Sequence, residues 1–122
     1  MATITADTWQ ATMNLADSDI SNTNAEYIID QGIDILSNLG QIDLPNMTGT
    51  TPGSKTWSGT QRQKGAIMEA SRITYYGFYK GLDTVSISGL SVTTADVLAN
   101  PTIRAELEKL AQNLKEMDVS VG

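Results

Sequence analysis

Thr23-Asn24-Ala25-Glu26-Tyr27-Ile28-Ile29-Asp30-Gln31-Gly32-Ile33-Asp34-Ile35-Leu36-Ser37-Asn38-Leu39-Gly40 is the stretch on which the reading of the fold turns. Its first four residues make a capping box, in which Thr23 can satisfy free backbone amides and Glu26, three residues on, can reciprocate. Ala25, Ile28, Ile29, Gly32, Leu36 and Leu39 then recur at the spacing of one helical face, and Gly40 stands where a C-terminal cap belongs. Gly32 inside that stripe costs about 1 kcal/mol of helix propensity relative to alanine, so its expected use is the close approach of another backbone.

Three further helices are predicted on either side of this one. A short one follows Thr5, a capping hydroxyl, with Asp7 complementing the positive helix end, and runs through Trp9, Thr12 and Met13 to about Leu15. Asp17-Ser18-Asp19 ends it. The third begins near Ser58-Gly59-Thr60-Gln61, read as a Ser-x-x-Gln box, and Ala66, Ile67, Ala70, Ile73, Thr74, Gly77 and Phe78 carry it to Gly81. Tyr75, Tyr76 and Tyr79 fall partly off that stripe, which suits either the rim of a core or a protein interface, where tyrosine is enriched. The fourth opens on Asn100 as cap with Pro101 at the first helical position and extends to about Met117. Its apolar positions Ile103, Leu107, Leu110, Leu114 and Met117 alternate steps of four and three, a narrow seam that can pack on its own domain or lie in a partner's groove.

Two connectors of about eighteen residues, 41–58 and 82–99, separate these helices. The second contains Val85-Ser86-Ile87-Ser88-Gly89-Leu90-Ser91-Val92, whose alternation predicts one or two short strands broken at Gly89. Loops this long are uncommon in small domains unless they serve a function, and both are expected to be ordered mainly by neighbouring molecules. The predicted fold class is therefore all-α: one domain over residues 1–122, a small bundle of about four helices with long connectors and a possible hairpin around residues 85–92. Residues 100–122 are a candidate docking segment.

Composition narrows the chemistry. The 122 residues are 40% hydrophobic and 18% charged, which fits neither a disordered polyelectrolyte nor a membrane-embedded chain. There is no Cys and no His, which removes disulfides, thiolate or imidazole catalysis and Cys/His zinc sites. The amino terminus lacks a basic segment followed by an apolar run, so no signal peptide is expected and the sequon at Asn46-Met47-Thr48 is read as chance.

A net charge of −6 disfavours sequence-independent DNA binding, which depends on Lys and Arg neutralising phosphates. The charges are also segregated. Residues 1–54 carry seven acids (Asp7, Asp17, Asp19, Glu26, Asp30, Asp34, Asp43) and no base, whereas residues 55–80 carry Lys55, Arg62, Lys64, Arg72 and Lys80 against Glu69 alone. Such blocks can pair within the fold or complement each other across copies.

Several motifs imitate chemistry. Gly49-Thr50-Thr51-Pro52-Gly53-Ser54-Lys55-Thr56 resembles a phosphate-binding loop, with Gly49, Lys55 and Thr56 correctly spaced but Ser54 where the second glycine should stand. Asp17, Asp19 and Ser21 imitate the start of a calcium loop, but Asn22 and Ile28 occupy its turn-glycine and bidentate-glutamate positions, so a helix-capping turn is expected. Glu106 and Glu108, two apart on a helix, point in different directions and do not make a facing acid and base. No nucleophile with an adjacent base can be named, and no catalytic, cofactor or metal site is predicted.

The order of these elements resembles that of the head-to-tail connector (adaptor) proteins of tailed phages and related archaeal viruses. The resemblance spans about residues 3 to 117. It is carried by Asp17-Ser18-Asp19-Ile20 leading into Glu26-Tyr27-Ile28-Ile29, by the run from Ala66 to Tyr79, and by the small-residue segment Ser86 to Val92. It implies a non-enzymatic structural protein of the virion, located at the head-tail junction after assembly in the host cytoplasm. Such a protein forms a ring of identical subunits, twelvefold in the family, which docks on the portal protein, extends the DNA channel and meets a downstream neck or tail protein. Genomic DNA would pass through without sequence-specific binding, and no membrane is involved.

Under that reading the expected subunit interface comprises Lys55, Trp57, Arg62, Lys64, Arg72, Tyr75, Tyr76 and Tyr79, with the cations meeting acids of the adjacent copy. Leu114, Met117, Val119 and Val121 are the expected portal contacts. The alternative from another class is a small helical regulator that binds DNA or a host protein through residues 55–80.

Overall fold

A computed structural model of the chain describes residues 2–16, 18–75, 84–87, 90–93 and 101–121. Four helices dominate these residues: α1 (Ala6–Met13), α2 (Asn22–Gly40), α3 (Gln61–Thr74) and α4 (Pro101–Val121). Two small antiparallel sheets accompany them. One pairs β1 (Ala2–Thr5) with β2 (Thr56–Gly59), and the other pairs β3 (Thr84–Ile87) with β4 (Leu90–Thr93). The predicted helical character holds, and the strand signal around residues 85–92 is a hairpin with Val85 opposite Val92 and Ile87 opposite Leu90. The expected Asn100 cap and the end of the third helix from Gly77 to Gly81 lie outside the described residues.

The β1–β2 sheet was not legible in the sequence. Only Ile4 of β1 points into the core, so the strand shows no alternation to read, and its partner lies far along the chain. Ile4 pairs with Trp57, and both are buried. This ties the amino terminus to the segment that leads into α3.

The helix caps differ from their sequence reading by a few residues, for identifiable reasons. Thr5 caps α1 as expected, accepting from the Thr8 amide at 3.2 Å while the Thr8 hydroxyl takes the Thr5 amide at 2.9 Å. On α2 the cap is Ser21, whose hydroxyl accepts from the Asn24 amide, because Glu26 is turned away from the terminus to a different task. On α3 the box is Thr60 with Gln63 in place of Ser58 with Gln61, since Ser58 is committed to β2. Gly40 is not the cap of α2 either. Gln41 is, in the left-handed region at φ 52°, with Ile42 N–H donating to the Ser37 carbonyl at 3.1 Å. Gly40 is the last helical residue and a close contact with α4: a Cβ there would stand 2.9 Å from the Ala111 Cβ.

The core forms around α2, which packs on α1, α3 and α4. Ala25, Ile28, Ile29, Ile33 and Leu36 supply its buried stripe, facing Ile67, Ala70 and Ile73 of α3 and Leu107, Ala111 and Leu114 of α4 within one apolar cluster. Gly32 serves the purpose predicted for it. A Cβ at that position would lie 2.8 Å from the Ser71 amide nitrogen, so the absent side chain is what lets the α3 backbone approach. Ser71 then joins a third helix to the crossing: Trp9 Nε1 donates to its hydroxyl at 2.9 Å, and the hydroxyl donates to the Ile67 carbonyl at 2.7 Å.

These contacts predict opposite outcomes for two substitutions in α2 and its cap. Gly32→Ala gains helix propensity but forces α2 and α3 apart, and overpacking of this kind is expected to destabilise the chain by about 2 kcal/mol net. Gln41→Gly relieves a left-handed residue at an exposed site and is expected to stabilise by about 0.5–1 kcal/mol. Urea midpoints shifting in opposite directions would verify both.

Candidate interaction surface

The long connector between α2 and α3 is held by the chain itself, contrary to the expectation that neighbouring molecules order it. The physical cause is a row of acids at four-residue spacing on α2, namely Glu26, Asp30 and Asp34, which lie on one side of the helix. Both oxygens of Glu26 accept backbone amides of the connector, from Gly53 and from Lys55, each at 2.8 Å. Asp30 Oδ1 accepts the Met47 amide at 2.9 Å, and Asn46 Nδ2 donates to Asp34 Oδ1 at 3.1 Å. Leu44 and Met47 anchor the same strap apolarly, and Thr48 bridges to Thr56 on the far edge of β2.

This arrangement decides how the two charge blocks behave. Much of the acidic block is spent on backbone and amide groups: besides the α2 row, Asp19 Oδ2 accepts the Ala16 amide at 2.8 Å and Asp7 Oδ1 accepts from Asn22 Nδ2 at 3.2 Å. The acidic turn before α2 is thus a capping turn, with Ser21 as the cap. Among the described residues no three metal-ligating side chains gather. The loop that resembles a phosphate cradle offers two amides that already hold Glu26.

The structure sorts the expected interface residues into three kinds. Trp57 and Tyr75 are core residues, 1% and 0% exposed, and this corrects the expectation that they face a neighbouring subunit. Trp57 is drawn inward by the β1–β2 pairing, and Tyr75 packs edge-on against Trp9 with centroids 5.7 Å apart. Leu114 is likewise buried in the seam against α2 and cannot present itself to a portal. Arg72 pairs with Glu69 one turn earlier, Nη2 to Oε1 at 2.6 Å, so an α3 neighbour shares its charge.

Lys55, Arg62 and Lys64 form the third kind. They are exposed or half-exposed and have no ion-pair partner among the described residues. They do not make one patch. The four residues of β2 stand between Lys55 and the start of α3, about 13 Å of strand, and Arg72 lies about 15 Å along α3 beyond Arg62. Arg62 and Lys64 occupy the first turns of α3, where no acid offsets them, so they sit at the positive end of the helix dipole. That placement is unfavourable in the isolated chain and favourable beside an acidic surface.

Tyr76 and Tyr79 lie outside the described residues. Met117, Val119 and Val121 belong to the backbone of α4, which runs on to Val121, and their side chains also lie outside them. One surface residue escaped the sequence reading. Tyr27, 63% exposed, is the large apolar side chain most open to solvent among the described residues, and its hydroxyl accepts from Gln31 Nε2 at 2.8 Å. Its position off the α2 stripe was the available signal. Beside the start of α3, Ala2, Gly59, Thr60, Gln61 and Gln63 line a shallow, open depression of about 580 Å³, with no charged side chain among the described residues that line it.

Compared with models of protein families, with curated proteins and with solved structures, the chain finds no match in any of the three.

The division between core and surface residues has a direct test in the isolated chain. Trp57→Ala is expected to destabilise it by about 3–5 kcal/mol through the cavity left behind. Arg62→Glu should be neutral or stabilising by about 0.5 kcal/mol, because an acid is preferred at that end of the helix. Thermal and urea unfolding of the two variants measure both effects.

Proposed function

We propose that this chain is a structural subunit of a virion, a head-to-tail adaptor that assembles as a ring beneath the portal, extends the DNA channel and joins capsid to tail. The observation that carries the reading is the order of elements: a short capped helix, an acidic capping turn, a long central helix, a basic third helix, a hairpin and a final helix. The four described helices and the β3–β4 pair occur in this order, with β1 before α1 and β2 before α3 in addition. The ring itself finds support in the surface charges. Lys55, Arg62 and Lys64 are without intramolecular ion pairs among the described residues, while Asp43 lies exposed on the opposing block and Asp34, also exposed, gives one oxygen to Asn46.

A closed ring needs two different patches that meet on adjacent copies, and unequal charge supplies such a pair. The helix dipole of α3 adds to Arg62 and Lys64, so an acid arriving from the next copy would relieve a local strain and gain attraction together. On the portal side the reading now rests on Met117, Val119 and Val121, with Leu114 acting as the core anchor that fixes α4. An acidic channel wall would let DNA slide, because it offers no counter-charge to phosphate.

Two variants test the two contacts separately. Reversing Arg62 and Lys64 together to Glu should weaken self-association at least tenfold, equivalent to about 1.4 kcal/mol, in sedimentation-velocity titrations. An unchanged assembly constant would contradict the subunit contact. Truncation after Leu114 keeps the described core contacts of α4 and should abolish co-sedimentation with the portal protein. Full binding by the truncated chain would contradict portal docking.

A further inference from the structure

The phosphate-loop imitation is the one sequence motif that the proposed function does not use, and its geometry is that of a site already filled. Thr51 to Ser54 form a tight turn closed by Ser54 N–H donating to the Thr51 carbonyl at 3.0 Å. Pro52 fixes one corner of it, and Gly53 takes the other at φ +89°, in the left-handed region that glycine occupies without strain. Backbone N–H groups two residues apart that converge on one point make an anion-binding concavity. Gly53 and Lys55 are such a pair, and the point is occupied by the Glu26 carboxylate. Each amide holds one oxygen at 2.8 Å, and Glu26 is 3% exposed.

We propose that the Thr51–Lys55 loop is a carboxylate-binding site whose resident ligand is the chain's own Glu26, and that it takes up a free small carboxylate once that side chain is cut back. The ligand class follows from the donors. Two amides engage both oxygens of a planar carboxylate, one each, and a loop built for that anion has no need of the glycine that Ser54 replaces in phosphate-binding loops. Lys55 supplies one donor through its backbone, and its ammonium forms no ion pair with Glu26. Glu26 also lies on the buried side of the strap, so occupancy of this site and closure of the strap on α2 are one event.

Acetate replaces the atoms that Glu26→Ala removes, namely the outer methylene carbon and the carboxylate. The full-length Glu26→Ala chain should melt below the wild type. Sodium acetate should raise its melting temperature by about 4 °C more than equimolar sodium chloride, and should leave the wild type unmoved. Amide exchange at Gly53 and Lys55, fast in the variant, should slow again with acetate. Equal effects of acetate and chloride on the variant would overturn the proposal. Should Glu26→Ala fold only poorly, Glu26→Gln keeps the shape and sets an amide NH₂ against one of the two backbone donors. Its Gly53 or Lys55 amide should then exchange at least tenfold faster than in the wild type, and unchanged protection at both would overturn the proposal equally.

Discussion

The crossing of Gly32, Ser71 and Trp9 is the point on which the rest of the structure hangs. Gly32 surrenders a side chain so that the α3 backbone can reach α2. Ser71 is small enough to sit in that contact and polar enough to give the Trp9 indole a buried acceptor. Three helices from different parts of the chain are thereby fixed at one place, and each requirement constrains the next residue. A larger residue at 71 would collide with α2, and an apolar one would leave the Trp9 N–H buried without a partner, at a cost of about 1–3 kcal/mol. The second close contact, Gly40 against Ala111, repeats the device at the other end of α2 and seats α4.

The connector between α2 and α3 shows how a short chain orders a long loop without a large core. Its apolar anchors are few, Leu44, Met47 and Trp57, and the remaining hold comes from Glu26, Asp30 and Asp34. Carboxylates accepting backbone amides are stronger than neutral hydrogen bonds, and when they repeat every fourth residue on one helix they make a straight rail along which a strap can be laid. The acidity of the first half of the sequence is in good part this rail. What the rail leaves exposed or half-exposed is the opposite charge, on Lys55, Arg62 and Lys64, together with Asp43 of the acidic block.

Helix existence was readable because each helix carries an apolar stripe at helical spacing, and the purpose of Gly32 was readable because a glycine in such a stripe needs a reason. The caps were less so. Thr23 and Glu26 have the spacing of a capping box, but Glu26 gains more from two strap amides than from its own helix end, and this competition is invisible locally. Gly40 misled in the same way, since a glycine at a helix end fits a cap and a close contact equally well. Trp57 and Tyr75 seemed available for an interface because their burial depends on β1 and Trp9, distant in sequence. The three surface cations were legible as a charge block, whereas their separation along β2 and α3 was not.

The basic start of α3 faces outward, and Arg62 and Lys64 have no ion-pair partner among the described residues, so the proposed adaptor role turns on whether another copy meets them. The measurement that tests the proposed adaptor role most directly is the native mass of the purified wild-type chain, alone and mixed with a candidate portal protein. The account predicts a closed multimer of the chain, or its appearance on the portal as a ring of fixed stoichiometry. A stable monomer that joins neither itself nor the portal would contradict it.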